Sequence, residues 1–179
     1  MKNKTKELIA QAFKSLLEKK RFQDITVTEI CQAVDCQRKT FYYHFDDKYH
    51  LAAWIYLSGI NQVWDPQNGP YDFTSNYIKG LEFIYNDFPF YRKVLPDDAL
   101  SGLYKHIVRH GDILFEELIS NRIGSNVIDD ELKFLIHFSN LAQICVIREW
   151  VFSNNPEKPE ELVRKLLAAF PNRLKKYLL

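Results

Sequence analysis

Residues Thr26 to Leu51 read TVTEICQAVDCQRKTFYYHFDDKYHL, the pattern of two short helices joined by a tight turn. Thr26 and Glu29 have the T-x-x-E spacing of a capping box. The hydroxyl accepts the backbone N–H of Glu29 and the carboxylate reaches back to Thr26, so a helix begins here. Val27, Ile30 and Val34 give that helix one apolar face, and Asp35 and Cys36 then break the pattern. A second helix starts at about Gln37, with Gln37, Arg38, Lys39 and Thr40 in its first turn and aromatic Phe41, Tyr42 and Phe45 behind them. Polar and cationic groups leading a helix that is anchored by rings are the layout of a helix-turn-helix, whose second helix enters a major groove.

The residue types sort by what they could touch. Arg38 and Lys39 can donate to guanine O6 and N7, and Gln37 is a natural partner for adenine. Thr40, Tyr42, Tyr43, His44 and Lys48 suit phosphates, although Tyr42 can equally be a core aromatic. Thr26 and Thr28 open the preceding helix, where free N–H groups favour an anion.

Upstream, Leu8, Ile9, Ala12, Phe13, Leu16 and Leu17 recur at helical spacing between Thr5 and Lys20, which supplies the first helix of a three-helix head over residues 1–50. Residues 1–60 carry ten Lys/Arg against seven Asp/Glu, and residues 61–179 fourteen against sixteen. A basic head on a mildly acidic body fits nucleic-acid contact confined to one end. Downstream, Asp46 or Asp47 caps a linking helix over about 47–63, and DPQNGP at 65–70 reads as a loop.

The rest of the body, within 51–179, reads as long helices. Phe73, Tyr77, Leu81, Ile84 and Phe88 share one face of a helix ending near Pro89, where FPFY forms a turn. Leu100, Leu103, Ile107, Leu114 and Leu118 mark the next, with Gly111 a place for a kink or a close helix contact; 121–126 is a loop. Asp129 or Asp130 caps a helix over about 131–152 whose apolar residues spread over more than one stripe, so it is covered on more than one side. Pro159 starts the last helix, with Leu162, Leu166, Phe170 and Leu174 in register and a kink or brief break at Pro171. No strand pattern or internal repeat occurs, so the chain is all-α.

The remaining chemistry is sparse. Cys31, Cys36 and Cys145 lack metal-ligand spacing and suit reduced thiols, with Cys31 and Cys145 as core fillers. His106 and His110 are four apart, as two metal ligands can be, but a helical surface explains them more simply; His137 reads as a hydrogen-bonded core residue. No catalytic Ser/His/Asp order, phosphate loop or HExxH is present, so no catalytic residue, metal or cofactor is assigned. No apolar run reaches the roughly 18 residues of a membrane span, and MKNKTKE has no apolar region after its lysines. A cytoplasmic protein is expected.

TFYYHFDDKYHL resembles the T-[FL]-Y-x-H-F-x-x-K-x-x-L signature that closes the DNA-binding domain of TetR-type (tetracycline-repressor-like) bacterial regulators. The likeness extends to Ile9, Ala12 and Phe13 and to the T-V-x-x-I start of the second helix. Lys39 replaces the usual small residue before the Thr, and Gln37 stands where Ser or Thr commonly caps, so the residues nearest the bases depart from the pattern. YRKVL and IREWVFSNNPEKPEELVRKLL resemble a branch of that family that includes the activator of dihydroxyacetone kinase genes. The resemblance implies a helix-turn-helix head on a helical-bundle body that dimerises and binds either a small-molecule effector or a partner protein. It also implies operator DNA as the partner, and a linking helix that transmits the signal. Ile60, Trp64, Tyr77, Leu81, Phe88 and Tyr104 are then candidates for effector-pocket walls. Leu141, Ile144, Arg148, Leu166, Phe170 and Leu174 are candidate dimer contacts, because the last two helices carry more apolar surface than one small body can cover.

Overall fold

The computed structural model describes residues 2–64, 72–95, 102–125 and 127–179; the loop read at 65–70 and Leu100 lie outside them. Every regular element among the described residues is helical. The head comprises α1 (Lys2–Lys19), a 3-10 turn (Phe22–Asp24), α2 (Val27–Ala33) and α3 (Arg38–His44). Ile9, Phe13 and Leu17 form the buried stripe of α1, and Phe22 plugs the base of the head with its ring 5.9 Å from Phe13 and 5.0 Å from Tyr49.

The capping box at α2 forms as read: Thr26 Oγ1 accepts from Glu29 N at 3.2 Å, and Glu29 Oε2 accepts from Thr26 N at 2.9 Å. The helix ends in a Schellman motif, with Cys36 N donating to Cys31 O at 3.0 Å and Asp35 N to Gln32 O at 3.3 Å. Asp35 takes the left-handed conformation this closure needs (φ 50). α3 is anchored by Phe41 and Phe45, both fully buried.

α4 (Lys48–Trp64) leaves the head and enters the body, with its first turn secured by Asp47 Oδ1 accepting from His50 N at 2.7 Å. α5 (Phe73–Tyr85) is capped by Asp72, which accepts from Ser75 N. It stops at Asn86, short of Pro89. FPFY is no turn: α6 (Phe88–Val94) begins there, with Pro89 in its first turn, where the missing N–H has no intrahelical partner to lose. α7 (Gly102–Ile123) passes Gly111 without interruption, and a Cβ at Gly111 would sit 3.1 Å from Asn140, so that glycine marks a close contact with α8. α8 (Asp130–Phe152) is capped by Asp129. α9 (Pro159–Ala169) and α10 (Asn172–Leu178) are separated at Pro171.

Two fastenings close the body. Phe73, Phe115 and Phe170 meet edge to face at 5.6–6.2 Å, joining α5, α7 and the end of α9. Arg92 of α6 donates to Val151 O (2.6 Å) and Ser153 O (2.9 Å), satisfying carbonyls left over at the end of α8. Head and body also meet away from α4, where Lys14 of α1 pairs with Asp87 at 2.9 Å and lies over the Phe90 ring; on α4 itself His50 stacks on His106 of α7 at 5.0 Å.

Candidate functional site

The first turn of α3 points outward from its buried rings. Gln37, Arg38 and Lys39 are exposed and Thr40 is half-buried. Gln37 caps the helix with its backbone only, which leaves its amide uncommitted. Lys39 has no ion-pair or hydrogen-bond partner among the described residues. Arg38 is held in place: Nη2 donates to Tyr42 Oη at 3.1 Å and the guanidinium lies over the Tyr42 ring, one turn further on. That pairing raises the Arg38 pKa further. Tyr42 and Tyr43 are exposed, so Tyr42 is a surface ring rather than a core one; His44 is half-buried against Tyr43 and Phe45. Thr28 is exposed beside them on α2.

Two of the expected phosphate contacts have other work in this fold. The Lys48 ammonium donates to Phe22 O (2.9 Å), Gln23 O (2.8 Å) and Ile25 O (2.9 Å), using all three protons to tie the 3-10 turn to the foot of α4. Its partial burial there lowers its pKa. The Thr26 hydroxyl accepts from Glu29 N and donates to the Glu29 carboxylate at 2.9 Å. That carboxylate, also bound by Lys20, occupies the place at the start of α2 where an anion was expected.

In the body, α4 (Tyr56, Ile60, Trp64), α5 (Tyr77, Gly80, Leu81), α7 (His110, Gly111) and α8 (Asn140, Gln143, Ile144) line a cavity of about 90 Å³. Ile60, Trp64, Tyr77 and Leu81 are the expected wall residues that it brings together. Phe88 and Tyr104 are not among them. Phe88 is buried against Tyr85 and Trp150, and Tyr104 is buried in the core.

The polar groups of the wall went unread in the sequence. Tyr77 Oη donates to Gln143 Oε1, and Gln143 Nε2 donates to Ser139 O at 3.0 Å. Asn140 Nδ2 donates to Asp112 Oδ1 at 2.8 Å, and the other Asp112 oxygen faces His137 Nδ1 at 2.7 Å. His137 is therefore hydrogen-bonded but exposed, not a core residue. His110 pairs with Asn61 at 2.8 Å, and its burial lowers its pKa below the usual imidazole value. A spacing of three residues, Asn140 and Gln143 on one face of α8, was the available signal.

The expected dimer contacts divide. Leu166, Phe170 and Leu174 are buried within the single chain, and Ile144 faces the cavity, so none of these four is a surface for a second copy. Leu141 is 44% exposed and belongs to a strip that runs along α8: Phe134 (65%), Phe138 (57%), Leu141, the exposed Cys145 and Phe152 (42%), with Arg148 lying over the Phe152 ring. Cys145 is thus no core filler, whereas Cys31 is buried. His106 and His110 have ring and amide partners, and no group of three metal-ligating side chains forms among the described residues. No described helix is long and apolar enough to cross a membrane.

Residues 72–172 match the TetR family domain described as "Transcriptional regulator C-terminal region". The chain is 26% identical over 144 residues to the HTH-type dhaKLM operon transcriptional activator DhaS of Lactococcus lactis subsp. lactis (strain IL1403), covering 80% of this chain and 72% of that protein. Its fold is similar to the solved structure of the dihydroxyacetone kinase operon activator DhaS (TM-score 0.61, 21% identity, 97% of each chain covered). It is also similar to that of the TetR family repressor AlkX from Dietzia sp. strain DQ12-45-1b (TM-score 0.52, 18% identity, 97% of each). These relatives are transcriptional regulators and not enzymes. With the family domain spanning more than half of its 179 residues, the chain belongs to the TetR family of DNA-binding transcriptional regulators.

Proposed function

We propose that this regulator works as a homodimer, reading a near-palindromic operator with α3 and answering to a small effector held in the body cavity. The observation that carries the DNA reading is the first turn of α3: Gln37, Arg38 and Lys39 stand exposed over rings that are fully buried. In this reading Gln37, Arg38 and Lys39 meet base edges, while Thr28, Thr40, Tyr42, Tyr43 and His44 meet the backbone. The head spans 1–50 and the body 51–179, with α4 across the boundary. A second copy covers the α8 strip, whose residues recur at spacings of four and three, the period of a helix-pair seam.

α4 suits the role of transmitter because its two ends are tied to different parts. Lys48 holds the head's 3-10 turn, and Ile60 and Trp64 face the cavity. An effector shifts DNA affinity only by preferring one position of α4; a coupling of about 1–3 kcal/mol changes occupancy roughly 5- to 150-fold. A cavity of about 90 Å³ is well below the several hundred that a drug-sized ligand needs, so a large effector is disfavoured. The alternative, a body that docks a partner protein, has less support, because the exposed rings of α8 lie in the strip assigned to the second copy. Likeness to an operon activator favours activation. Selection of operators from random DNA tests the reading: wild type should enrich an inverted repeat and Lys39→Ala should relax it at one position per half-site. Enrichment of no sequence would sink it.

A further inference from the structure

The body cavity is small, uncharged and incompletely hydrogen-bonded, and these three properties together restrict what can enter. Among the described residues its wall contains no Lys, Arg, Asp or Glu. Burial lowers the pKa of the one histidine, His110, which favours its neutral form near pH 7, so an ion entering here would find no countercharge in the wall. A cavity of about 150 Å³ is known to hold benzene, and 90 Å³ falls short of that. This limits the ligand to one more compact than benzene.

The unused hydrogen-bonding capacity is specific. The Tyr56 hydroxyl has no hydrogen-bond partner among the described residues, and burial raises its pKa far above that of a free phenol, so it stays protonated. Asn140 gives Nδ2 to Asp112, which leaves Oδ1 as an acceptor. Gln143 accepts from Tyr77 through Oε1 and gives one Nε2 proton to Ser139 O, which leaves the second proton as a donor. A wall offering both an acceptor and donors matches a group that both donates and accepts, as a hydroxyl does. Gly80 completes the space: a Cβ built there would meet nothing within 4 Å.

We propose that this cavity takes a neutral, compact molecule carrying hydroxyl groups, with or without a carbonyl, of the size of a short polyol or hydroxyketone, and excludes anions, cations and aromatic rings. The assignment rests on the effector reading above and names its ligand class. Tyr56 on α4 and the Asn140–Gln143 pair on α8 are the groups that would bind it, so the ligand bridges the helix leading to the head and the helix carrying the exposed strip.

The test is ligand-observed NMR and calorimetry on the full chain without DNA, with glycerol, 1,2-propanediol and hydroxyacetone as probes and acetate, ethylamine and benzyl alcohol as controls. Saturable binding of at least one of glycerol, 1,2-propanediol and hydroxyacetone, and of none of the controls, is expected. Gly80→Leu fills the space and should abolish binding, and Gly80→Ala should weaken it. Both remove a mid-helix glycine, which favours α5 intrinsically. Tyr56→Phe should weaken binding about tenfold with the fold intact. Binding of a control as tight as that of the hydroxyl probes, wild-type affinity in Gly80→Leu, or no binding of any probe would overturn the proposal. Operator binding measured in parallel separates the outcomes, since its loss in the wild type would fault the regulator reading and its retention with no ligand bound faults only this one.

Discussion

Lys48 gives three protons to three carbonyls of the head, so its substitution acts on folding before it acts on DNA. Lys48→Met should cost about 1–3 kcal/mol of stability in denaturant unfolding and leave the salt dependence of operator binding unchanged. Lys39→Ala should leave stability within about 0.5 kcal/mol of wild type and cost about 1–3 kcal/mol at one base position. A shallower salt slope for Lys48→Met would return that residue to the phosphates. Glu29 carries a second expectation. Its carboxyl sits at about 2, held down first by Lys20 and then by the Thr26 N–H and hydroxyl, against an ordinary 4.5. Because the folded value is the lower, the unfolded chain takes up the proton first. The stabilisation is complete above about 4.5 and is lost as pH falls towards 2. Glu29→Gln keeps a capping side chain without the titration, so thermal melts across that window should slope less steeply than those of wild type. The capping box was legible because its partners are three residues apart; those of Lys48 lie 23 to 26 residues upstream, beyond any local pattern.

At the scale of elements, the turn between α2 and α3 depends on Asp35 holding a positive φ. Asp35→Val should lose about 1–2 kcal/mol and Asp35→Gly should be neutral or slightly stabilising, as read by chemical denaturation. Equal losses in both would show that the Asp35 carboxylate matters more than its backbone. The long helices were plain from periodicity, but α6 was read as a turn, and the last residues of α7, which runs to Ile123, as part of a loop. Phe73, Tyr77, Leu81, Ile84 and Phe88 stay in phase across a real break, because Pro89 can open a helix as well as close one. Likewise Leu166, Phe170 and Leu174 were recognisable as buried, but periodicity does not say against what. They pack inside their own chain, and the apolar side chains left exposed on α8, where we propose the second copy sits, are Phe134, Phe138, Leu141, Val146 and Phe152. The cavity was half legible: its apolar walls follow helical spacing, whereas Asn140, Gln143 and Gly80 converge only once α5 and α8 border the same space.

For the whole molecule, assembly and folding should respond to different substitutions. Wild type should sediment as a dimer at micromolar concentration, and Phe138→Asp, in the middle of the exposed strip, should sediment as a monomer and lose operator binding. Leu174→Ala should remain dimeric while losing about 2–5 kcal/mol of stability, since its side chain is fully buried within one chain. A monomeric Leu174→Ala beside a dimeric Phe138→Asp would return the contact to the C-terminal helices. The strip along α8 also has a consequence for gene dosage. If two copies must meet before either reads DNA well, then at low abundance the number of competent readers grows with the square of the number of chains. Halving expression would then cut promoter occupancy by up to about fourfold. A face that required a second copy would make the promoter a sharper gauge of how much of this protein the cell holds.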